Sequence, residues 1–286
     1  MNIRQPTLPM GWYPRDKDKI EEFLGPFLKN AAANGLDNRS RAAIAPHAGW
    51  YYSGSLAALA ISSLDSSAET VVVIGGHLPG KIPILIAEED GAKTPLGIME
   101  IDSDLRREFE KQLLKNKLFY QSDRYNDNTV EVLLPMVHAF FPRSQLLWLR
   151  FPAEISSYHA GKILYDTAQV LGRRIVAIAS VDLTHYGDNY GFAPKGRGKA
   201  ALDWVKSVND ALLIEAVLSG DPDLVLKRAE MDKSTCSAGA VLGVMGFSNF
   251  AINKGNKAKL MEYRTSADVN GDVVPDSFVG YAAISF

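Results

Sequence analysis

The chain holds a single cysteine, Cys236, so no disulfide can form within it, and the count suits a reducing compartment. It lacks any apolar stretch near the roughly 18 residues that a membrane-crossing helix needs. The longest small-apolar segment, residues 238–247, is short and rich in glycine. The opening MNIRQPTLPMGWYP has neither the charged head nor the apolar run of a secretory leader. Together these absences predict a soluble, cytoplasmic protein with no membrane partner. An excess of either charge is missing too. There are 31 Lys and Arg against 33 Asp and Glu, interspersed, for a net charge of -2. No basic stripe exists to neutralise a phosphate backbone, which argues against a nucleic-acid partner. Gly75, Gly76 and Gly80 do not make G-x-G-x-x-G, and neither a P-loop nor a G-x-S-x-G elbow occurs. Nucleotide binding and α/β-hydrolase chemistry are therefore not indicated.

What is present is a chain of 286 residues, 47% hydrophobic and 22% charged, with material for a large core and no low-complexity segment or repeat. Apolar runs alternate with helical patterns along the whole length, the signature of an α/β fold. Strands are expected at 42–45, 70–74, 146–149, 175–179, 261–265 and 278–286. Helices are expected at 53–64, 130–141, 158–171, 199–218 and from about 235 to about 250. A further helix at 103–115 carries Leu105, Phe109 and Leu113 at four-residue spacing. Residues 192–199, rich in Gly and Lys, read as a mobile surface loop. No linker divides the chain, so one domain over 1–286 is expected, with a mixed, mostly parallel central sheet flanked by helices.

Three of the five histidines end short apolar runs: Ile44-Ala45-Pro46-His47, Ile74-Gly75-Gly76-His77, and the run from Ala179 through Asp182 to His185. In an open α/β sheet the ligand site lies off the carboxyl ends of the strands, where such side chains converge. A lone histidine at a strand end is more often a hydrogen-bonded structural residue; three in that setting point to a site. Cys236 stands where a helix is expected to begin, and a helix N-terminus favours a thiolate. The bland alternative is a small buried residue beside Ala238 and Gly239. Two imidazoles with one anionic group and open positions suit non-haem iron, and a His2Cys set also suits copper or zinc. His138, on an apolar helix before Pro142, and His159, at a helix start, read as ordinary helix residues.

Ala45-Pro46-His47-Ala48-Gly49-Trp50-Tyr51-Tyr52-Ser53-Gly54 resembles the Memo-family signature A-P-H-A-G-[YW]-x-Y-S-G. Shorter matches follow in order. Met10 to Pro14 resembles an A-G-x-[WY]-P element, and Thr94-Pro95-Leu96-Gly97 a T-P-L-G loop. Ser180 to Tyr186 resembles S-S-D-L-[ST]-H-[WY], and Thr235-Cys236 a T-C-G turn. The 263–268 and 279–282 segments resemble closing Y-x-T-S-x-D and V-G-Y-A strands. The resemblance, to the Memo family (AmmeMemoRadiSam system protein B), implies a fold similar to the catalytic subunit of class III extradiol dioxygenases. It implies His47, His77 and Cys236 as metal positions, with Cys236 standing where the dioxygenases have Glu. It implies His185 as the catalytic acid/base, with Asp182 as its pocket neighbour.

The chain departs from the family pattern in places. G-P-x-H-H is reduced to Gly75-Gly76-His77, T-C-G reads Thr235-Cys236-Ser237, and the histidine of E-H-S is replaced by Asn128. Asn128 hydrogen-bonds but carries no proton at neutral pH. The first expectation is an Fe(II)-dependent, dioxygenase-like oxidoreductase, with Cu or Zn as the other metals. The second is a metal- or ligand-binding protein without turnover, associated with AMMECR-type and radical-SAM proteins. The third is a hydrolase or transferase with Cys236 as nucleophile.

Overall fold

The runs AAIA, TVVVIG, QLLWLR and IVAIAS are buried almost throughout and form the parallel heart of the protein. The computed structural model describes residues 1–33, 40–251, 258–271 and 273–286. Its strands, in chain order, are β1 (Ile3–Arg4), β2 (Ala42–Ala45), β3 (Thr70–Gly75), β4 (Ile84–Ile86), β5 (Gly91–Thr94), β6 (Gly97–Glu100), β7 (Tyr120–Ser122), β8 (Gln145–Arg150), β9 (Ile175–Ser180), β10 (Asp182–Gly187), β11 (Lys259–Thr265) and β12 (Ser277–Ser285). The main sheet runs β10-β12-β2-β9-β3-β8-β4-β7, with β11 also paired to β12. β2, β9, β3 and β8 are mutually parallel. β10, β11 and β2 all meet β12 antiparallel, and β4 meets β8 antiparallel. A small second sheet pairs β1, β5 and β6.

Why these four runs are apolar at every position follows from the layers. Side chains along a strand alternate between faces. Ile44, Val72, Ile74, Leu147, Ala177 and Ala179 face one core with the helices Ser103–Lys115, Ser156–Val170 and Ala238–Ala251. Ala43, Val71, Val73, Leu146, Val176 and Ile178 face the other, with the helices Lys17–Ala33, Trp50–Ser62 and Leu134–Phe140. A strand covered on both faces shows no polar alternation. The small residues of Ala238–Ala251 have a packing role: a Cβ on Gly161 would come within 2.0 Å of the Gly243 carbonyl oxygen, so two helices touch there through backbone. None of the helices among the described residues is long and apolar enough to cross a membrane.

Several boundaries differ from expectation for physical reasons. The helix expected over 130–141 is two, Asn128–Glu131 and Leu134–Phe140, because Pro135 has no N–H to continue the ladder and sits in a first turn. The helix expected over 199–218 contains a π-helical turn at Val205–Asn209. The end of the run from Ala179 to His185, expected as a turn, belongs to a strand of its own, Asp182–Gly187. The helix expected from about 235, the last α-helix among the described residues, begins at Ala238, with the Ser237 carbonyl accepting its first bonds from Ala240 N and Val241 N. Cys236 therefore precedes the helix and is not part of it.

Candidate metal centre

β2, β9 and β3 end side by side, with Ala45 opposite Ser180 and Ile74 opposite Ala179. The turns after β2 and β3 deliver His47 and His77 to the same carboxyl edge, as the position of the strand-end histidines predicts. His77 has a left-handed backbone, φ 58°, uncommon for a residue with a side chain. Gly76 lies against the turn before the last helix: a Cβ there would sit 2.2 Å from Ser237 Oγ. That close approach brings His77 N to the carbonyl of Cys236 at 3.3 Å. His47 Nε2 and Cys236 Sγ are 3.4 Å apart, and the ligand atoms of His47, His77 and Cys236 all lie within 4.8 Å of one another.

The orientation of each ring is fixed from behind. Ser180 Oγ donates to the Thr129 carbonyl, so its oxygen is left to accept from His47 Nδ1 at 3.1 Å. His77 Nδ1 meets Asp127 Oδ2 at 3.0 Å. Asp127 is held in turn by Arg150 Nη2 at 3.2 Å and by the backbone N–H of Thr129 at 2.9 Å. Arg150 is itself buried and reaches Asp123 as well. With Nδ1 engaged, Nε2 of each ring is the nitrogen free to bind, the arrangement found around metal-ligating histidines.

Without metal, the three groups hold one another's protons. Burial alone would raise the thiol, but the neighbouring His47 charge and the hydrogen bonds from both rings hold Cys236 well below its ordinary value. Burial opposes charge on His77 too, yet the hydrogen bonds to Asp127 and Cys236 lift it to about 10. Burial likewise opposes charge on His47, and Asp182 and Cys236 outweigh it.

His47 and His77 line a cleft of about 760 Å³ that also admits Asp182 and His185. Asp182 is buried; its Oδ1 accepts from His47 N at 2.8 Å, and its Oδ2 lies 3.7 Å from His47 Nε2. Burial raises its pKa. His185 stands against the Tyr190 ring at 4.9 Å, with Nδ1 turned to the Leu183 carbonyl at 3.2 Å. Trp12, Tyr51, Tyr52 and Tyr281 complete an aromatic wall. The predicted residues are thus all at one place, His47 and His77 after strand ends, Cys236 in the turn before the helix Ala238–Ala251, and the Asp182/His185 pair along a strand.

Asn128, which stands where the resemblance has histidine, also lines the cleft; its Nδ2 donates to the His47 carbonyl at 3.2 Å. Sequence reasoning gave no role to Asp127, Ser180 or Arg150. The run Asp127-Asn128-Thr129 carries a cap signal, realised by the Asp127 bond to Thr129, but nothing in the sequence marks that carboxylate as a histidine partner. His138 and His159 lie elsewhere, His138 on Thr94 Oγ1 at 2.8 Å and His159 exposed.

A family model described as Memo-like protein matches residues 4–285. A MEMO1 family protein of Pyrococcus abyssi is 30% identical over 99% of this chain and 98% of its own. A MEMO1 family protein of Nitrosopumilus maritimus is 29% identical over 99% of both chains. Among solved structures, an uncharacterized protein from Escherichia coli K12 matches with TM-score 0.50 and 12% identity, covering 86% of this chain and 99% of that one. That likeness concerns the fold.

Proposed function

The chain belongs to the Memo-like protein family, and from that premise we propose that His47, His77 and Cys236 bind one transition-metal ion, Fe(II) first and Cu or Zn otherwise, in a dioxygenase-like oxidoreductase. The observation that carries the proposal is the pair of imidazoles held at Nδ1 with a thiol between their other nitrogens. Bonds of about 2.0–2.1 Å to nitrogen and about 2.3 Å to sulfur, at a tetrahedral angle, place the two donors about 3.5 Å apart. The 3.4 Å between Cys236 Sγ and His47 Nε2 fits that span. Iron held by two imidazoles and one anionic ligand would supply open positions for a substrate and oxygen.

The chain's own residues divide the remaining work. His185, facing the cleft beside Tyr190, is the group placed to take or return a substrate proton. Asp182 holds the His47 backbone and sets a negative charge beside its ring. The aromatic wall gives a planar organic ligand surfaces to stack on and excludes water from it. A second reading, a metal-binding protein without turnover that acts with AMMECR-type or radical-SAM partners, is favoured by Asn128. Its amide is spent on the His47 carbonyl and moves no proton.

The test is anaerobic titration of chelator-free protein with Fe(II) and Co(II), alongside metal analysis of the protein as purified. One ion per chain, with a sulfur-to-cobalt absorption band absent in Cys236→Ser, is expected. No binding by any of Fe(II), Co(II), Cu or Zn would reject the metal reading.

A further inference from the structure

Asp182 and His185 line the same cleft although they are three residues apart on one strand. In a regular strand, residues an odd number apart face opposite sides. The pairing shows how β10 escapes this. Asp182 stands opposite Tyr281 and His185 opposite Val279, so three steps on β10 are matched by two on β12. Tyr281 and Val279 line the cleft as well, as residues two apart should. Leu183 and Thr184 together face Gly280 alone, and the register shifts between Asp182 and His185. This is a bulge, one extra residue that leaves ladder groups without a partner.

Asp210 fills that gap. Thr184 N donates to its Oδ1 at 3.0 Å, and the Thr184 hydroxyl donates to the same oxygen. Tyr263 OH donates to Oδ2 at 2.7 Å. Asn209 Nδ2 donates to Thr184 Oγ1 at 2.8 Å and to the Asp232 carbonyl at 3.0 Å. Asp210 is wholly buried and takes part in none of the ion pairs among the described residues, a costly state for a carboxylate unless it is held by donors. A π-helical turn, Val205–Asn209, leads directly into it, and such turns frequently mark functional sites. Opposite the bulge only glycine fits, because a Cβ on Gly280 would come 1.9 Å from Asp210 Oδ2 and 3.2 Å from Leu183 Cβ.

We propose that Asp210 is a positioning residue: it pins the Leu183–Thr184 bulge and so turns Asp182 and His185 into one cleft. It acts through Thr184, and resting on the acid/base reading of His185, it is a determinant of that chemistry that lies behind the strand. Removing it lets β10 regain even alternation, which carries His185 away from Tyr190. Asp182 stays tied to the His47 N–H and, through its carbonyl, to Thr235, so His185 is the residue that moves and the metal donors keep their places.

The experiment reads the His185–Tyr190 ring contact by selectively labelled NMR, together with Co(II) titration, in wild type, Asp210→Ala, Asp210→Asn and Gly280→Ala. Asp210→Ala is expected to lose the cross-peak between the rings, and Asp210→Asn, which keeps an acceptor oxygen, to retain it. A folded Asp210→Ala that keeps the cross-peak and only melts earlier would overturn the proposal, leaving Asp210 a stability residue. Should Asp210→Ala fail to fold, Gly280→Ala decides in its place, since its methyl displaces the carboxylate while leaving it present; there too a retained contact overturns the idea. Loss of the contact in folded Asp210→Asn would also overturn it. Failure of wild type to bind Co(II) would sink the metal reading and leave the ring-contact result standing.

Discussion

The two walls of the cleft are built by different rules. On one, β2, β9 and β3 run parallel, are buried on both faces, and present side chains only where they end. On the other, β10 and β12 run antiparallel and present side chains from along their length, as Asp182, His185, Val279 and Tyr281 do. A strand end brings a residue to the edge through its neighbours' ends, and Ser180 and Asp127 then fix the ring. A strand body needs register, and here a bulge with a buried carboxylate behind it. Both walls rest on contacts with chain far away in sequence; the second depends in addition on the register of its strands.

Changing the thiol breaks the first wall hardest. Cys236→Ser removes the only anionic donor of the trio, and metal affinity should fall beyond the about 100-fold that loss of an outer partner can cost. Far-ultraviolet circular dichroism should be unchanged, since the exchange is nearly isosteric. Equal affinity in titrations of both proteins would make Cys236 a packing residue only.

The corresponding stroke against the second wall is Asp210→Asn, read as stability against pH. Burial raises Asp210 from 3.8 to about 6 against the donors that hold it. A carboxyl raised on folding favours the folded state below its unfolded value, and that contribution is lost as pH rises through its folded value. Wild type should therefore lose about 3 kcal/mol between roughly pH 4 and 6, a dependence that the amide variant lacks. Urea midpoints that differ by the same amount at pH 4 and pH 7 would show that the carboxyl does not titrate there.

Asp127→Asn probes the partner behind His77. The amide oxygen still accepts from Nδ1, but Arg150 loses one of the two carboxylates it pairs with and keeps Asp123. A loss of about 10-fold in metal affinity is expected, with His185 and Tyr190 still in contact. A disturbed ring pair would mean that the two walls are coupled and the comparison too sharp.

The mildest effect is that of pH on binding. Metal requires a thiolate and neutral imidazoles, so protons leave as it binds. Because His77 is lifted to about 10 by Asp127 and Cys236, against its burial, that release continues well above the range of a free imidazole. Calorimetry in buffers of differing ionisation enthalpy should find about one proton displaced at pH 8, and affinity still rising there, by up to about tenfold per pH unit. Affinity flat above pH 7 would show that His77 is already neutral.

The contrast also explains what could be read from the sequence. The strand-end residues were legible because a short apolar run followed by Pro-His or Gly-Gly-His shows both the strand and its end, and the parallel core pairs those ends without further information. His185 and Asp182 line the cleft, as expected of their position, but on another local picture: they belong to the strand Asp182–Gly187, where the turn ending a strand was expected. A bulge leaves no mark in β10 itself, since Leu183 and Thr184 are ordinary strand residues. Asp210 sits within a helical pattern that gives no hint of its burial. Arg150 ends an apolar strand and pairs with carboxylates at 123 and 127, contacts that only the folded chain creates.

Among the described residues β12 follows every other strand in the sequence, yet it lies between β10 and β2, inside the sheet. During synthesis the earlier strands leave the ribosome first. β2, β9, β3 and β8 can pair without waiting, and with the turn at Cys236 they complete the donor trio. β10 has no partner until Ser277 and the residues after it arrive. A nascent chain halted before Ser277 would hold His47, His77 and Cys236 with the second wall still unpaired, a reactive thiol open to any oxidant until β12 slides into place.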